Sequence, residues 1–96
     1  MSKIRRLVLD VLKPHSPSMV KFAEEVEKAS GVEGVNATIY EIDEEVRNLK
    51  VTIEGQEIDD DEVREAIEDL GGSIHSIDEI VYGDKMVEES KTPQDK

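Results

Sequence analysis

The order of the periodic patterns along the chain constrains its fold more than any other feature. Apolar and polar residues alternate over 4–12, 35–42, 46–54 and 74–82. This alternation predicts four strands, because successive side chains of a strand point to opposite faces. Two stretches with helical spacing separate the first and second strands and the third and fourth. The order βαββαβ predicts an α+β ferredoxin-like sandwich with an antiparallel sheet of order 4-1-3-2 and both helices on one face.

Polar residues at the helix boundaries predict where each helix begins. We expect Ser16 to cap the first helix, with Pro17 in its first position, where a missing N–H group is tolerated. We expect Asp59 to cap the second helix and Glu62 to complete a capping box. Residues 32–35 are predicted to form a link that turns at Gly34. The fourth strand does not alternate strictly, which predicts a β-bulge.

The chain has 96 residues, which fits one domain. We place this domain at residues 1–83 and interpret residues 84–96 as a polar tail, either wholly frayed or with one partly docked turn, whose only apolar anchors are Met86 and Val87. The absence of cysteine excludes disulfides, thiolate zinc sites and cysteine nucleophiles. Abundant Glu without Cys is typical of thermophile proteins. No signal peptide or long apolar run is apparent, so we expect a cytoplasmic protein that does not contact membranes.

The net charge of −12 disfavours nucleic-acid binding, which requires a basic surface. Residues 1–23 nevertheless contain five basic residues and one acidic residue. The sheet face away from the helices is predicted to carry charged and apolar side chains together. Such a face is typical of an interface, so we expect a homo-oligomer that packs through this face or through the strand edges, with a ring as one form. The alternative is an ordinary surface with scattered apolar residues. The predicted interface residues are Arg6, Val8, Asp10, Tyr40, Ile42, Ile80 and Tyr82.

The segment between the first strand and the first helix is the best candidate ligand site. Lys13, His15, Ser16 and Ser18 supply a cation, an imidazole and two hydroxyls next to a helix N-terminus. This chemistry favours an anion or a carboxylate. The alternative is that the serines only cap the helix and that His15 bonds locally.

Two acidic pairs are candidate sites for weakly bound Ca²⁺ or Mg²⁺, since hard cations prefer oxygen ligands. They are Asp43 with Glu44, and Asp59 with Asp60. Helix capping explains the second pair equally well, and neither has the spacing of an EF-hand loop. The two histidines, His15 and His75, have no recognisable nucleophile beside them, so we expect no enzymatic activity.

Three segments together resemble a small archaeal family of unknown function, domain-of-unknown-function family 211. They are VLDVLKPHSPS, GVNATIYEIDEEVRNLKVTIEG and GGSIHSIDEIVYG, and the resemblance spans residues 3–83. It implies a ferredoxin-like subunit that assembles into rings or similar oligomers, with divalent ions as expected ligands. It implies no activity, because none is established for the family. The residues themselves show no evident cofactor site apart from the weak Ca²⁺ or Mg²⁺ candidates.

Other families with this topology fit less well. ACT-type regulatory domains usually present a glycine near the first helix, heavy-metal-associated domains use a Cys pair there, and RNA-binding domains need aromatic residues on the central strands. This chain has no glycine near the start of the first helix, no Cys pair in that loop and no aromatic residue on the predicted central strands. Two hypotheses remain open: a non-enzymatic, oligomeric module that binds a small ligand or a divalent ion, or a purely structural or protein-interaction subunit.

Overall fold

The structure, a computed structural model, describes residues 2–90 and has the predicted βαββαβ order. Its elements are β1 (Ile4–Pro14), α1 (Met19–Glu27), β2 (Val32–Ile42), β3 (Val46–Gly55), α2 (Asp60–Asp69) and β4 (Ser73–Tyr82). The strands form an antiparallel sheet of order β2-β3-β1-β4, which is the predicted order read from the other edge. The ferredoxin-like prediction is therefore confirmed.

The core lies between the helices and the two central strands. Leu7 pairs with Ile53, and Leu9 pairs with Val51. Residues directly opposite each other in an antiparallel pair share one face, so these side chains form a continuous apolar layer. The helices cover this layer with Phe22, Val26, Val63 and Ile67, all of which are buried. Burial of each such side chain stabilises the fold by roughly 1.5–3 kcal/mol.

The first helix begins two residues later than predicted. Its N-cap is Ser18, whose Oγ accepts a hydrogen bond from the backbone N–H of Lys21 at 3.1 Å. Ser16 and Pro17 remain in the preceding loop, where the carbonyl of Pro17 accepts a hydrogen bond from the buried ammonium of Lys13. That contact holds Pro17 outside the helix, so the prediction that Ser16 is the cap was wrong.

The second helix begins as predicted, but its capping box is only half formed. Asp59 Oδ1 accepts a hydrogen bond from the backbone N–H of Glu62 at 3.1 Å. The Glu62 carboxylate instead accepts hydrogen bonds from the backbone N–H and the hydroxyl of Ser30, each at 2.9 Å. The N–H of Asp59 donates to the carbonyl of Ser30 at 2.9 Å. Ser30, which lies in the link between α1 and β2, therefore takes the place of the Asp59 N–H as the hydrogen-bond partner of the Glu62 carboxylate.

Strand β2 is longer than predicted, because Gly34 continues the strand instead of forming a turn. Its register against β3 shifts between Val32 and Gly34, and again between Ile39 and Glu41. Each shift inserts a bulge that absorbs an extra residue without ending the strand. The predicted irregularity of β4 is confirmed, since its pairing with β1 contains three register shifts.

Candidate functional site

The loop at residues 13–18 is held by its own polar groups. Lys13 is completely buried, and its Nζ donates hydrogen bonds to the carbonyl of Pro14 at 2.9 Å and to that of Pro17. Burial lowers the pKa of Lys13, and the nearby positive charge of Arg47 lowers it further. The ammonium group predicted to attract a ligand therefore holds the loop together instead.

The other candidates in this loop also make local contacts. His15 Nε2 lies 3.2 Å from the carbonyl oxygen of Asp43, and Arg47 Nη1 donates to the carbonyl of His15 at 3.3 Å. Ser18 caps α1, while Ser16 is exposed. The structure thus joins the loop to the β2–β3 turn and does not collect the four predicted residues around a common cavity.

The predicted cation ligands lie at two ends of the sheet. Asp43 lies near the last residue of β1, because Val46 pairs with Pro14. Asp59 lies near the first residue of β1, because the N–H of the preceding Ile58 donates to the carbonyl of Ile4. The length of β1 separates the two pairs by about 30 Å. Within residues 2–90, no group of three or more acidic or imidazole side chains is arranged to hold a metal ion. The predicted ligands Glu44 and Asp60 are both exposed.

Asp43 has a structural role in the turn. Its Oδ1 accepts hydrogen bonds from the backbone N–H groups of Glu45 at 2.9 Å and Val46 at 3.3 Å. These bonds favour the ionised carboxylate and lower the pKa of Asp43. The carboxylate thereby closes a hairpin turn that contains no glycine.

The sheet face opposite the helices, here called the open face, carries a cluster of ion pairs around Arg6. Its guanidinium contacts Glu54 at 2.7 Å, Glu79 at 3.5 Å and Glu88 through two bonds of 2.9 and 3.1 Å. The hydrogen bonds to Glu88 and Glu54 raise the pKa of Arg6 and so fix its charge. Glu88 lies in the predicted frayed tail. Glu88 reaches back to Arg6 on the open face, and residues 91–96 lie outside the described part of the chain.

A shallow cavity of about 350 Å³ adjoins this cluster. Tyr40 donates a 2.5 Å hydrogen bond to Asp10 on one side of it. That bond holds the phenol proton and raises the pKa of Tyr40. The cavity therefore combines a fixed tyrosine with charges of both signs. Its lining residues are Val8, Asp10, Tyr40, Lys50, Asp78, Glu79 and Glu89.

The register of β4 places three of its large apolar side chains on the helix side, at the outer edge of the sheet. Ile80 pairs with Leu7, Ile77 with Leu9, and Tyr82 with the core residue Ile4. Ile77, Ile80 and Tyr82, here called the β4 stripe, remain 48%, 53% and 62% exposed. The prediction that Ile80 and Tyr82 lie on the open face was wrong, because they pair with Leu7 and Ile4, which face the helices. The register shift between Ile77 and Glu79 lets Ile77 share this side with Ile80.

The seven predicted interface residues therefore do not share one surface. Arg6, Val8, Asp10 and Tyr40 belong to the open face, where register pairs or hydrogen bonds connect them. Ile42 and Lys13 both pair with Arg47 on β3, so the two residues lie on the same side of the sheet. That side is the helix side, where Ile80 and Tyr82 also lie. Sequence reasoning missed Ile77 and Glu88 as surface-forming residues. The acidic residues after Met86 could have indicated an ion pair between Glu88 and the basic first strand.

No helix within residues 2–90 has the length and apolar character needed to cross a membrane.

Two comparisons place the chain among known proteins. The model of DUF211, a family described as uncharacterized ArCR, matches residues 5–96. An uncharacterized protein of Methanocaldococcus jannaschii is 56% identical over 96 residues, which is 100% of this chain and 99% of that protein. Both agree with the resemblance expected from the three sequence segments. The chain belongs to the DUF211 family.

Proposed function

We propose that this protein is a non-enzymatic, cytoplasmic subunit that assembles into a homo-oligomer through the β4 edge. The β4 stripe is the observation that carries this proposal. Its three large apolar side chains are about half exposed and lie in a row on an edge strand. An edge strand also presents unpaired backbone groups, which soluble proteins normally protect with charges or a covering element.

The stripe continues into a mainly apolar cleft between α2 and β4, whose wall also contains Asp60 and Arg64 of α2. Ile77 and Ile80 line this cleft together with Ile74 and Val63. Burial of the remaining exposed half of each stripe residue would contribute roughly 1 kcal/mol. In a two-fold interface each contribution occurs twice, since the same patch is used by both copies.

A second copy of the chain is the occupant that best fits this surface. A chain of 96 residues buries only a modest core, so a subunit contact adds a large share of its apolar burial. The acidic residues Asp78 and Glu79 of β4 line the cavity on the open face, which keeps them away from the stripe. The net charge of −12 opposes association, so we expect assembly to strengthen as salt screens the repulsion.

The small-ligand and divalent-ion hypothesis has less support. The polar groups of residues 13–18 make internal hydrogen bonds, and the acidic pairs stand far apart. A thermal-shift panel of amino acids, nucleotides, phosphate, Ca²⁺ and Mg²⁺ tests it directly, because a ligand that binds only the folded state raises the melting temperature. Loss of such a shift in a His15→Ala, Ser18→Ala variant would locate the ligand in the loop.

Sedimentation velocity at micromolar concentration tests the assembly. We expect the wild-type chain to sediment as an oligomer, and its mass to distinguish a two-fold dimer from a ring. An Ile77→Lys, Ile80→Lys variant should sediment as a monomer with an unchanged far-ultraviolet spectrum. The matched control is Val20→Lys, since Val20 is 75% exposed on α1, which packs against β2 and α2. A monomeric wild-type chain, or a double variant that still assembles, would refute the proposal.

A further inference from the structure

Two valines on the open face are buried although no helix covers that side. Val81 pairs with Arg6, and Val8 pairs with Thr52 and Glu79, so both point away from the helix-side core. They are nevertheless only 4% and 8% exposed. Residues 84–90, here called the strap, pass beside them, since Glu88 bonds to Arg6 and Glu89 shares a cavity with Val8.

The strap starts at a glycine that can act as a pivot. Gly83 has a φ of +123°, a conformation that residues with a side chain rarely adopt, and open space surrounds its Cα. Its own backbone is fixed, because its N–H donates to the carbonyl of Lys3 at 2.8 Å and its carbonyl accepts from Arg5 Nε at 2.7 Å. A change of direction after Gly83 would therefore leave these bonds and the pairing of β4 in place.

The far end of the strap is held by the double hydrogen bond between Arg6 and Glu88. Asp84 adds weaker contacts near the pivot, at 3.5 Å from Lys3 and 3.9 Å from Arg5. Because Glu88 is 66% exposed at its side chain, its ion pair is sensitive to salt.

Release of Glu88 does not leave the guanidinium of Arg6 without an acidic partner. That group also contacts Glu54 on β3 at 2.7 Å and Glu79 on β4 at 3.5 Å, and both carboxylates stay in place when the strap moves. A charge that keeps two partners avoids the penalty of an unpaired buried ion. The closed strap is therefore held by one exposed ion pair, and its Glu89 lines the same cavity as Val8.

We propose that residues 84–90 form a releasable strap, pivoting at Gly83 and latched by Glu88 on Arg6, that gates the open face of the sheet. In the closed state the strap contributes Glu89 to the wall of the cavity that contains Tyr40 and Lys50. In the released state that wall is lost and the cavity beside Val8 becomes accessible. The strap acts within one chain and does not depend on the assembly proposed at the β4 edge.

A spin label on the strap tests the proposal in the full-length chain. Because the sequence contains no cysteine, a Ser90→Cys substitution gives a single attachment site. We expect the label to broaden the amide resonances of Val8 and Thr52. The broadening should fall about twofold or more when salt rises from 0.1 M to about 1 M, where the Debye length falls from about 10 Å to 3 Å.

A matched pair of charge-removing variants tests the latch. A Glu88→Gln substitution in the labelled chain should reduce the broadening, whereas Glu89→Gln should leave it unchanged. Equal broadening in both variants would overturn the proposed latch, and absence of broadening in the wild-type sequence at low salt would overturn the closed strap. The last control mixes spin-labelled chains with isotope-labelled chains that carry no spin label. Broadening of the isotope-labelled resonances in this mixture would show that the strap reaches another chain, and it would overturn the proposal that the strap acts within one chain.

Discussion

Replacement of Gly55 by alanine should strongly destabilise the protein. A Cβ atom at this position would lie 2.0 Å from the carbonyl oxygen of Gly31 and 2.9 Å from the backbone nitrogen of Glu33. Both obstacles are backbone atoms, and the same Gly31 carbonyl accepts a hydrogen bond from Gln56 at 2.9 Å. The end of β3 therefore cannot make room without moving the start of β2.

The magnitude follows from the overlap. Ordinary overpacking of a core costs about 1–3 kcal/mol, and this contact is more than 1 Å shorter than a normal carbon–oxygen approach. We expect Gly55→Ala to lower the free energy of unfolding by at least about 3 kcal/mol, a large part of the 5–15 kcal/mol typical of a domain. In a chain of this length, this corresponds to a fall in melting temperature of roughly 12 °C or more.

Urea unfolding monitored by circular dichroism, at one fixed protomer concentration, measures this effect. The matched control is Gly34→Ala in β2, where a Cβ atom would meet nothing within 4 Å. Removal of a strand glycine at this open position should leave stability unchanged or raise it by about 0.5 kcal/mol. If the free energy of unfolding of Gly55→Ala lies within about 1 kcal/mol of the wild-type value, the close approach of the end of β3 to the start of β2 is refuted.

Two further predictions concern caps and turns. Ser18→Ala should lower the free energy of unfolding by about 1 kcal/mol, whereas Ser16→Ala should change it by less than about 0.5 kcal/mol, as urea titrations can show; the reverse ranking would place the cap at Ser16. Asp43→Asn should reduce stability at pH 7, because the folded-state pKa of Asp43 lies below its unfolded value. That carboxylate stabilises the fold above its unfolded pKa and loses its contribution as pH falls through the folded pKa. The stability difference from the wild type should therefore narrow below about pH 4, and a constant difference in unfolding curves from pH 7 to pH 2 would contradict this role.

The two proposed surfaces use opposite faces of one strand. Ile80 points to the helix side of β4 and belongs to the proposed assembly stripe, while its neighbour Val81 points to the open face beneath the strap. Assembly and strap release can therefore be measured separately. Salt should act on them in different ways, since it reduces repulsion between acidic subunits but weakens the pair between Arg6 and Glu88.

The local sequence was sufficient to predict the elements and most of the core. Leu7, Leu9 and Val11 are buried as their alternation predicts, and Asp59 caps α2 as its position before an acidic first turn predicts. These features depend on residues within one or two turns of each other, so the chain determines them before any long-range contact forms. The family resemblance was also carried by contiguous segments.

The surfaces were decided by tertiary structure. Glu62 bonds to Ser30 across 32 positions, Glu88 bonds to Arg6 across 82, and neither partner is visible in a local pattern. Pairing with Leu7 and Ile4 places Ile80 and Tyr82 on the helix side, and the register shift between Ile77 and Glu79 adds Ile77 to that side. A shift of one residue reverses the face of every following side chain, and the pairing with β1 alone fixes where that shift falls. The sequence by itself therefore determined which residues form strands and helices, and only packing between distant segments determined which side chains share a surface.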